Sequence, residues 1–235
     1  MKSHGKHRNM IDMQTPEAFV SALANYQGEN IFNPYHDVCP VYDKKNANFI
    51  RQKNLIAILR SAQKQGVHSI WIGRDLGYRG GRRTGIALTD EVHLQDAARR
   101  FGLHELEQPT IGPPIKERTS KVIWDELAFI QEGIMFWNVF PFHPHPADET
   151  FANRAHTQTE QLSAKCFLSC LVTMLRPSRL VAIGRDAERA VSSFGLQVSH
   201  VRHPSYGGQR EFITGIQSLY GVKRSYAPAE QLALL

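Results

Sequence analysis

His68-Ser-Ile-Trp-Ile-Gly-Arg-Asp-Leu-Gly-Tyr-Arg-Gly-Gly81 changes character half-way along. His68 to Ile72 is apolar and rich in β-branched and aromatic side chains, the composition of a buried strand. Gly73 onward is a glycine-rich turn. Three more runs of the first kind lie at wide spacing: Ile134 to Asn138, Arg179 to Ile183, and Val198 to Arg202. Glu160 to Leu175 reads as a helix, and so does Asp186 to Phe194, stopped by Gly195. Upstream, Thr15-Pro16-Glu17 marks a helix start: a hydroxyl N-cap, proline at the first helical position and an acid in the first turn. That helix should end near Gly28. Another follows Asn46 and runs through Ile50, Leu55, Ile58 and Leu59. Strands alternating with helices predict parallel βαβ units. The expected fold is α/β, with three α/β/α layers around a central four-stranded parallel sheet. A single domain should span 1–235, with residues 1–15, polar and basic, frayed.

The bulk composition is compatible with this. Hydrophobic residues make up 42% of the 235 residues, enough for a sizeable core. The formal charge of +6 and pI near 9.3 suit a polyanionic partner. Cys39, Cys166 and Cys170 are too few for a disulfide framework and fit a reducing cytoplasm. Cys166 and Cys170 stand one helical turn apart and read as buried thiols. No membrane-spanning or signal-peptide stretch is evident. His143, His145, His156 and His203 invite a metal site, but His143-Pro-His145 cannot place two ligands on one helix, and no carboxylate spacing completes a set. The expectation is no cofactor and no metal.

In open parallel sheets, ligands bind beyond the carboxyl ends of the strands. Those ends carry Gly73-Arg-Asp-Leu-Gly77, Asn138-Val-Phe-Pro-Phe-His, Gly184-Arg-Asp, and His203-Pro-Ser-Tyr-Gly-Gly208. One acid, one amide and one imidazole should therefore meet on one rim. No dinucleotide fingerprint or P-loop pattern is present.

Their order and context resemble the uracil-DNA glycosylase superfamily, across roughly residues 65–210. Its members carry a first loop of the pattern Gly-x-Asp-Pro-Tyr or Gly-x-x-Pro-Gly and a second loop, His-Pro-Ser, with a strand ending in Asn between them. Gly73-Arg-Asp75-Leu-Gly77, His203-Pro-Ser205 and Asn138 match. The resemblance implies a monomeric repair enzyme, without an obligate protein partner, that acts on uracil-containing DNA. Asp75 and His203 would be catalytic. Asp75 would orient water beneath the sugar, and His203 would stabilise charge on the base oxygen O2. Asn138 would read N3–H and O4 of uracil with one amide, against the reversed pattern of cytosine. Gly73, Gly77, Tyr78, Leu88 and Phe140 would complete the base pocket. The flipped nucleotide would be gripped by Ser205 and backbone amides, with Tyr206 or Arg210 as the wedge. Arg79, Arg82 and Arg83 would track the DNA backbone.

Three positions depart from the family pattern. Gly77 stands where strict members place a methyl-blocking Tyr, so other deaminated bases become candidate substrates. Leu88 stands where a stacking Phe is usual, with Phe140 or Phe142 as substitutes. Leu76 replaces the loop Pro. The rival functions are a uracil-DNA binding protein with little turnover, a nucleoside or nucleotide hydrolase, and a metallohydrolase.

Overall fold

The computed structural model describes residues 13–222. Helix α1 (Pro16–Ala24) starts as expected: the Thr15 hydroxyl accepts from the Ala18 N–H at 3.2 Å, and Pro16 takes the first helical position. It stops four residues short of Gly28, and Phe19, Val20 and Leu23 turn inward. Strand β1 (Ile31–Phe32) follows, then α2 (Ala47–Gln65), closed by Gly66 at φ +83°. Strand β2 (Ser69–Asp75) leads into α3 (Gly81–Thr84), α4 (Leu94–Arg100) and α5 (Arg118–Leu127). Next come β3 (Ile134–Phe140), the short β4 (His143–Pro144) and α6 (Gln158–Leu175). The chain finishes with β5 (Arg179–Ile183), α7 (Arg185–Val191), β6 (Gln197–Val201) and α8 (Gln209–Tyr220). A capping box opens α6, with Thr157 and Glu160 satisfying each other's backbone N–H groups.

The main sheet has four strands, all parallel, in the order β3-β2-β5-β6. Successive strand side chains point to opposite faces, and the rings of β2 and β3 show what covers each. Trp71 and Phe136 meet one another and reach Phe212 and Tyr220 of α8 and Trp124 of α5. Trp137, one residue on, instead meets Phe19 of α1. Phe19 in turn meets Phe167 of α6. Helices therefore cover both faces, giving the expected three layers. Both faces being buried, β3 carries no polar alternation: all seven of its residues are buried.

Two details correct the sequence reading. Strand β3 lies at the edge of the sheet, and Asn138 lies within it, two residues before its end rather than at it. What makes this edge position rigid is its cover, since α6 packs on β3 and β1 pairs with β4 just beyond it. Met13 is buried and its carbonyl accepts a contact from the Cys170 thiol at 3.0 Å, so the chain is already packed at residue 13. The rest of the frayed stretch expected over 1–15 falls mostly outside the described residues. Among those residues, no helix is long and apolar enough to cross a membrane.

Candidate active site

Two cavities bracket the sheet. The larger, about 740 Å³, lies at the amino ends of the strands, between Val67, Phe101, Trp124 and Ile134. None of the residues singled out at the opposite rim lines it. The smaller, about 440 Å³, opens at the carboxyl ends and is lined by Gly73, Asp75, Gly77, Leu88, His203, Ser205 and Tyr206 together. Size favours the first cavity, but chemistry favours the second, because parallel sheets present their loops and reactive groups at the carboxyl ends.

Behind Gly73, which lines this pocket, β2 and β3 run side by side, and Asn138 does not itself reach the lining. Gly73 pairs in register with Asn138. A Cβ at Gly73 would lie 2.6 Å from Asn138 Oδ1 and 3.0 Å from the Leu88 side chain. Only glycine lets the amide and Leu88 approach so closely. Asn138 is 1% exposed, yet neither Oδ1 nor Nδ2 has a hydrogen-bond partner among the described residues. Leaving such groups unmatched costs about 1–3 kcal/mol each. Leu88 lines the pocket with a left-handed backbone, φ +57°, a conformation that costs a non-glycine residue about 1–2 kcal/mol.

Asp75 closes β2, opposite Phe140. Both of its oxygens are engaged: Oδ1 by His156 Nδ1, and Oδ2 by Arg74 Nε at 2.6 Å. Arg74 reaches on to Asp186 at 3.3 Å. The carboxylate is thus fixed from two sides while still facing the pocket. His156 had a sequence signal only as a metal candidate, because nothing local joins it to an acid 81 residues earlier.

His203 is the best-defined group. The backbone N–H of Ser205 donates to Nδ1 at 3.2 Å, and the Ser205 hydroxyl lies 2.7 Å from the same atom. An N–H can only donate, so Nδ1 is the acceptor and the neutral ring carries its proton on Nε2. Burial, helped by the nearby Arg74 charge, pushes the pKa down to about 4. At neutral pH this is a fixed, uncharged N–H donor. Tyr206 follows at 98% exposure and φ +51°, an unsupported ring on a left-handed backbone at the pocket mouth.

Several expected residues do not reach the pocket. Phe140 is fully buried between Tyr26, Phe142 and His156, and Phe142 stacks on Tyr26 with centroids 4.3 Å apart. Tyr78 is turned aside, its hydroxyl accepting from Arg79 Nε at 2.7 Å. The expectation that Arg82 and Arg83 track DNA fails on burial, at 3% and 8% exposure. Arg82 sits over the rings of Phe32 and Phe151 and donates to the Thr150 carbonyl at 2.8 Å. Arg83 lies over Tyr42 and pairs with Glu91 at 3.0 Å. Arg79 and Arg210 are exposed. The four histidines do not gather on one centre: His143 donates to the Leu76 carbonyl at 2.9 Å and stacks beside His145, while His156 and His203 serve separate partners. Pocket residues missed from sequence include Glu117, Thr119, Asn153 and Arg154, the last paired with Glu160 at 2.6 Å. Arg185, from the Gly184-Arg-Asp strand end, lines the pocket as that rim predicts.

No family model matches the sequence, and no curated protein matches it. Among solved structures, the wild-type SMUG2 of Pedobacter heparinus is similar at 15% identity and a TM-score of 0.60. The similarity covers 88% of this chain and 98% of that one. The fold is the same. At that identity the fold is what the comparison carries, and the residues above must carry the rest.

Proposed function

We propose that this chain is a DNA glycosylase that flips uracil from DNA and hydrolyses its N-glycosidic bond, leaving an abasic site. The observation that carries the reading is Asn138: a buried amide with both atoms unmatched, lying directly behind Gly73, which itself lines the rim pocket. Uracil offers N3–H to the amide oxygen and O4 to the amide nitrogen, which satisfies both atoms at once. Cytosine reverses the pattern and satisfies neither. The fold shared with SMUG2, a member of the uracil-DNA glycosylase family, and the motif resemblance support the same reading.

In the reaction, the bond from C1′ to N1 breaks and its electron pair leaves with the base. Water adds to C1′, and the proton it loses passes through solvent to the departed base anion. Asp75, held by His156 and Arg74, faces the positive sugar and positions the water. His203 Nε2–H donates to the base oxygen where negative charge gathers. A neutral imidazole suits this role, since its Nε2–H donates a hydrogen bond yet is too weak an acid to give up the proton at neutral pH. Tyr206 enters the gap left by the flipped nucleotide, while Arg185 and the Ser205 segment meet phosphate.

The test uses labelled oligonucleotides carrying one uracil, heated in alkali after incubation to break abasic sites. Wild type should cut the uracil strand, and Asp75→Asn, Asn138→Ala and His203→Ala should each lose about 100-fold or more. A wild type that shifts the strand on a gel without cutting it would make the protein a lesion binder. One that neither cuts nor binds would leave only a shared fold.

A further inference from the structure

Glu117 has no structural task. It occupies the N-cap position of α5, yet its side chain makes no capping hydrogen bond. Its backbone N–H is tied to Asp90 Oδ2 at 2.6 Å, but no hydrogen bond or ion pair reaches its carboxyl among the described residues. The side chain packs on the glycine turn of the rim pocket, which Glu117 also lines. A Cβ at Gly77 would lie 3.4 Å from Oε1, and one at Gly80 would collide with Oε2. The two glycines therefore make room for this carboxyl. Burial in this position, then the charge of Asp90, raises the pKa to about 7.

We propose that Glu117 sets which bases the pocket admits, by filling the space that Gly77 and Gly80 leave open and meeting the flipped base with its carboxyl. The proposal rests on the glycosylase reading and adds a selecting residue to it. Gly77 is then not a missing filter, because the wall comes from another element.

Two consequences follow from volume and charge. Truncating the side chain enlarges the pocket and should admit bulkier bases. The neutral acid can donate to or accept from a base edge, whereas the carboxylate repels a leaving base that is gaining negative charge. The charges around Glu117 leave this effect in place. Arg79, on the turn it packs against, is engaged with Tyr78, and Asp90 lies behind it. Across the pocket stand the Asp75–Arg74 pair, Asp186, Arg154, Arg185 and His203, the last neutral above about pH 4.

Full-length wild type, Glu117→Gln and Glu117→Ala should be compared in single-turnover cleavage of strands carrying uracil, thymine or hypoxanthine, at pH 6 and pH 8. Melting temperatures check that each variant is folded. If only the neutral acid supports cleavage, wild type should lose about tenfold between those pH values, as the ionised fraction rises through a pKa near 7. Glu117→Gln should abolish that loss. Glu117→Ala should raise thymine or hypoxanthine cleavage relative to uracil by about tenfold or more. Variants that keep the wild-type base ranking and pH dependence, in a wild type that cuts uracil, would overturn the proposal. A wild type that cuts no strand would sink the glycosylase reading first, and this inference with it.

Discussion

The two loops that meet over the pocket are built in opposite ways. The first, from Asp75 to Glu91, is held by buried polar groups along its length. Arg51, wholly buried, donates to the Arg83 carbonyl at 2.7 Å, and Tyr35 donates to the Gly85 carbonyl at 2.7 Å. The Thr84 hydroxyl donates to the Thr89 carbonyl at 2.8 Å, and the His143 ring secures the Leu76 carbonyl. The second loop, His203 to Gly208, is held among the described residues by the His203–Ser205 contacts and one backbone turn, and it presents the bare ring of Tyr206. The lesson is a division of labour. The first loop is a wall that must not move if a base is to be measured against it. In the proposed reaction the second is a short arm that would reach toward DNA from a seated histidine.

The sharpest test of that contrast is His203→Ala. Removing one preorganised donor to developing charge typically costs 100- to 1,000-fold in kcat. The melting temperature should barely change, since the ring braces only its own loop. Arg82→Ala should do the reverse. Losing the cation over Phe32 and Phe151 and the bond to Thr150 should cost about 2–3 kcal/mol. For a chain of this length that lowers the melting temperature by about 5–10 °C, read by calorimetry. The salt dependence of any DNA binding should stay unchanged, because Arg82 is buried. A flattened salt slope in this variant would return Arg82 to the surface role its sequence suggests.

That arginine also shows where the sequence stops being legible. The four strands could be read because each is a compact apolar run, and the rim because a parallel sheet sends its loops to one end. Residues 81–127 resisted. Gly81-Arg-Arg-Thr84 reads as a solvated turn, yet it forms α3 and is buried. Its burial depends on rings at 32, 42 and 151, which no local pattern announces. Within the site, Asp75, Asn138 and His203 were visible as residue types at strand ends. The His156 partner of Asp75 and the carboxyl of Glu117 were not, because both arrive from distant loops. The edge position of β3 was equally hidden, since full burial on both faces mimics an inner strand.

Tyr206→Ala tests the arm more gently. The ring is 98% exposed, so stability should hold, and easing the left-handed backbone strain would require glycine. If the ring fills the gap left by a flipped nucleotide, its loss should slow cleavage in duplex DNA by about tenfold, about 1.4 kcal/mol, a part of the few kcal/mol that flipping costs. Single-stranded substrate, with no stack to refill, should be cut almost normally. Equal losses on both substrates would mean that Tyr206 grips the strand rather than wedging it.

The smallest effect is the response to acid, and it separates the loops by a different property. His203 and His143 brace one loop each, and burial holds both pKa values down to about 4, against about 6.5 for an unfolded histidine. Their folded rings stay neutral while the unfolded rings take up protons. Stability from this source is therefore intact above about pH 6.5 and is lost as pH falls toward 4. Melting temperature measured between pH 7 and 4 should show the decline, and His143→Gln should reduce it. Activity should respond at a different point. The His203 donor stays neutral down to about pH 4, so cleavage should show no histidine limb near pH 6. A limb at pH 6 that vanishes in His203→Gln would mean that the second loop opens its histidine to water, and that the arm moves as a whole.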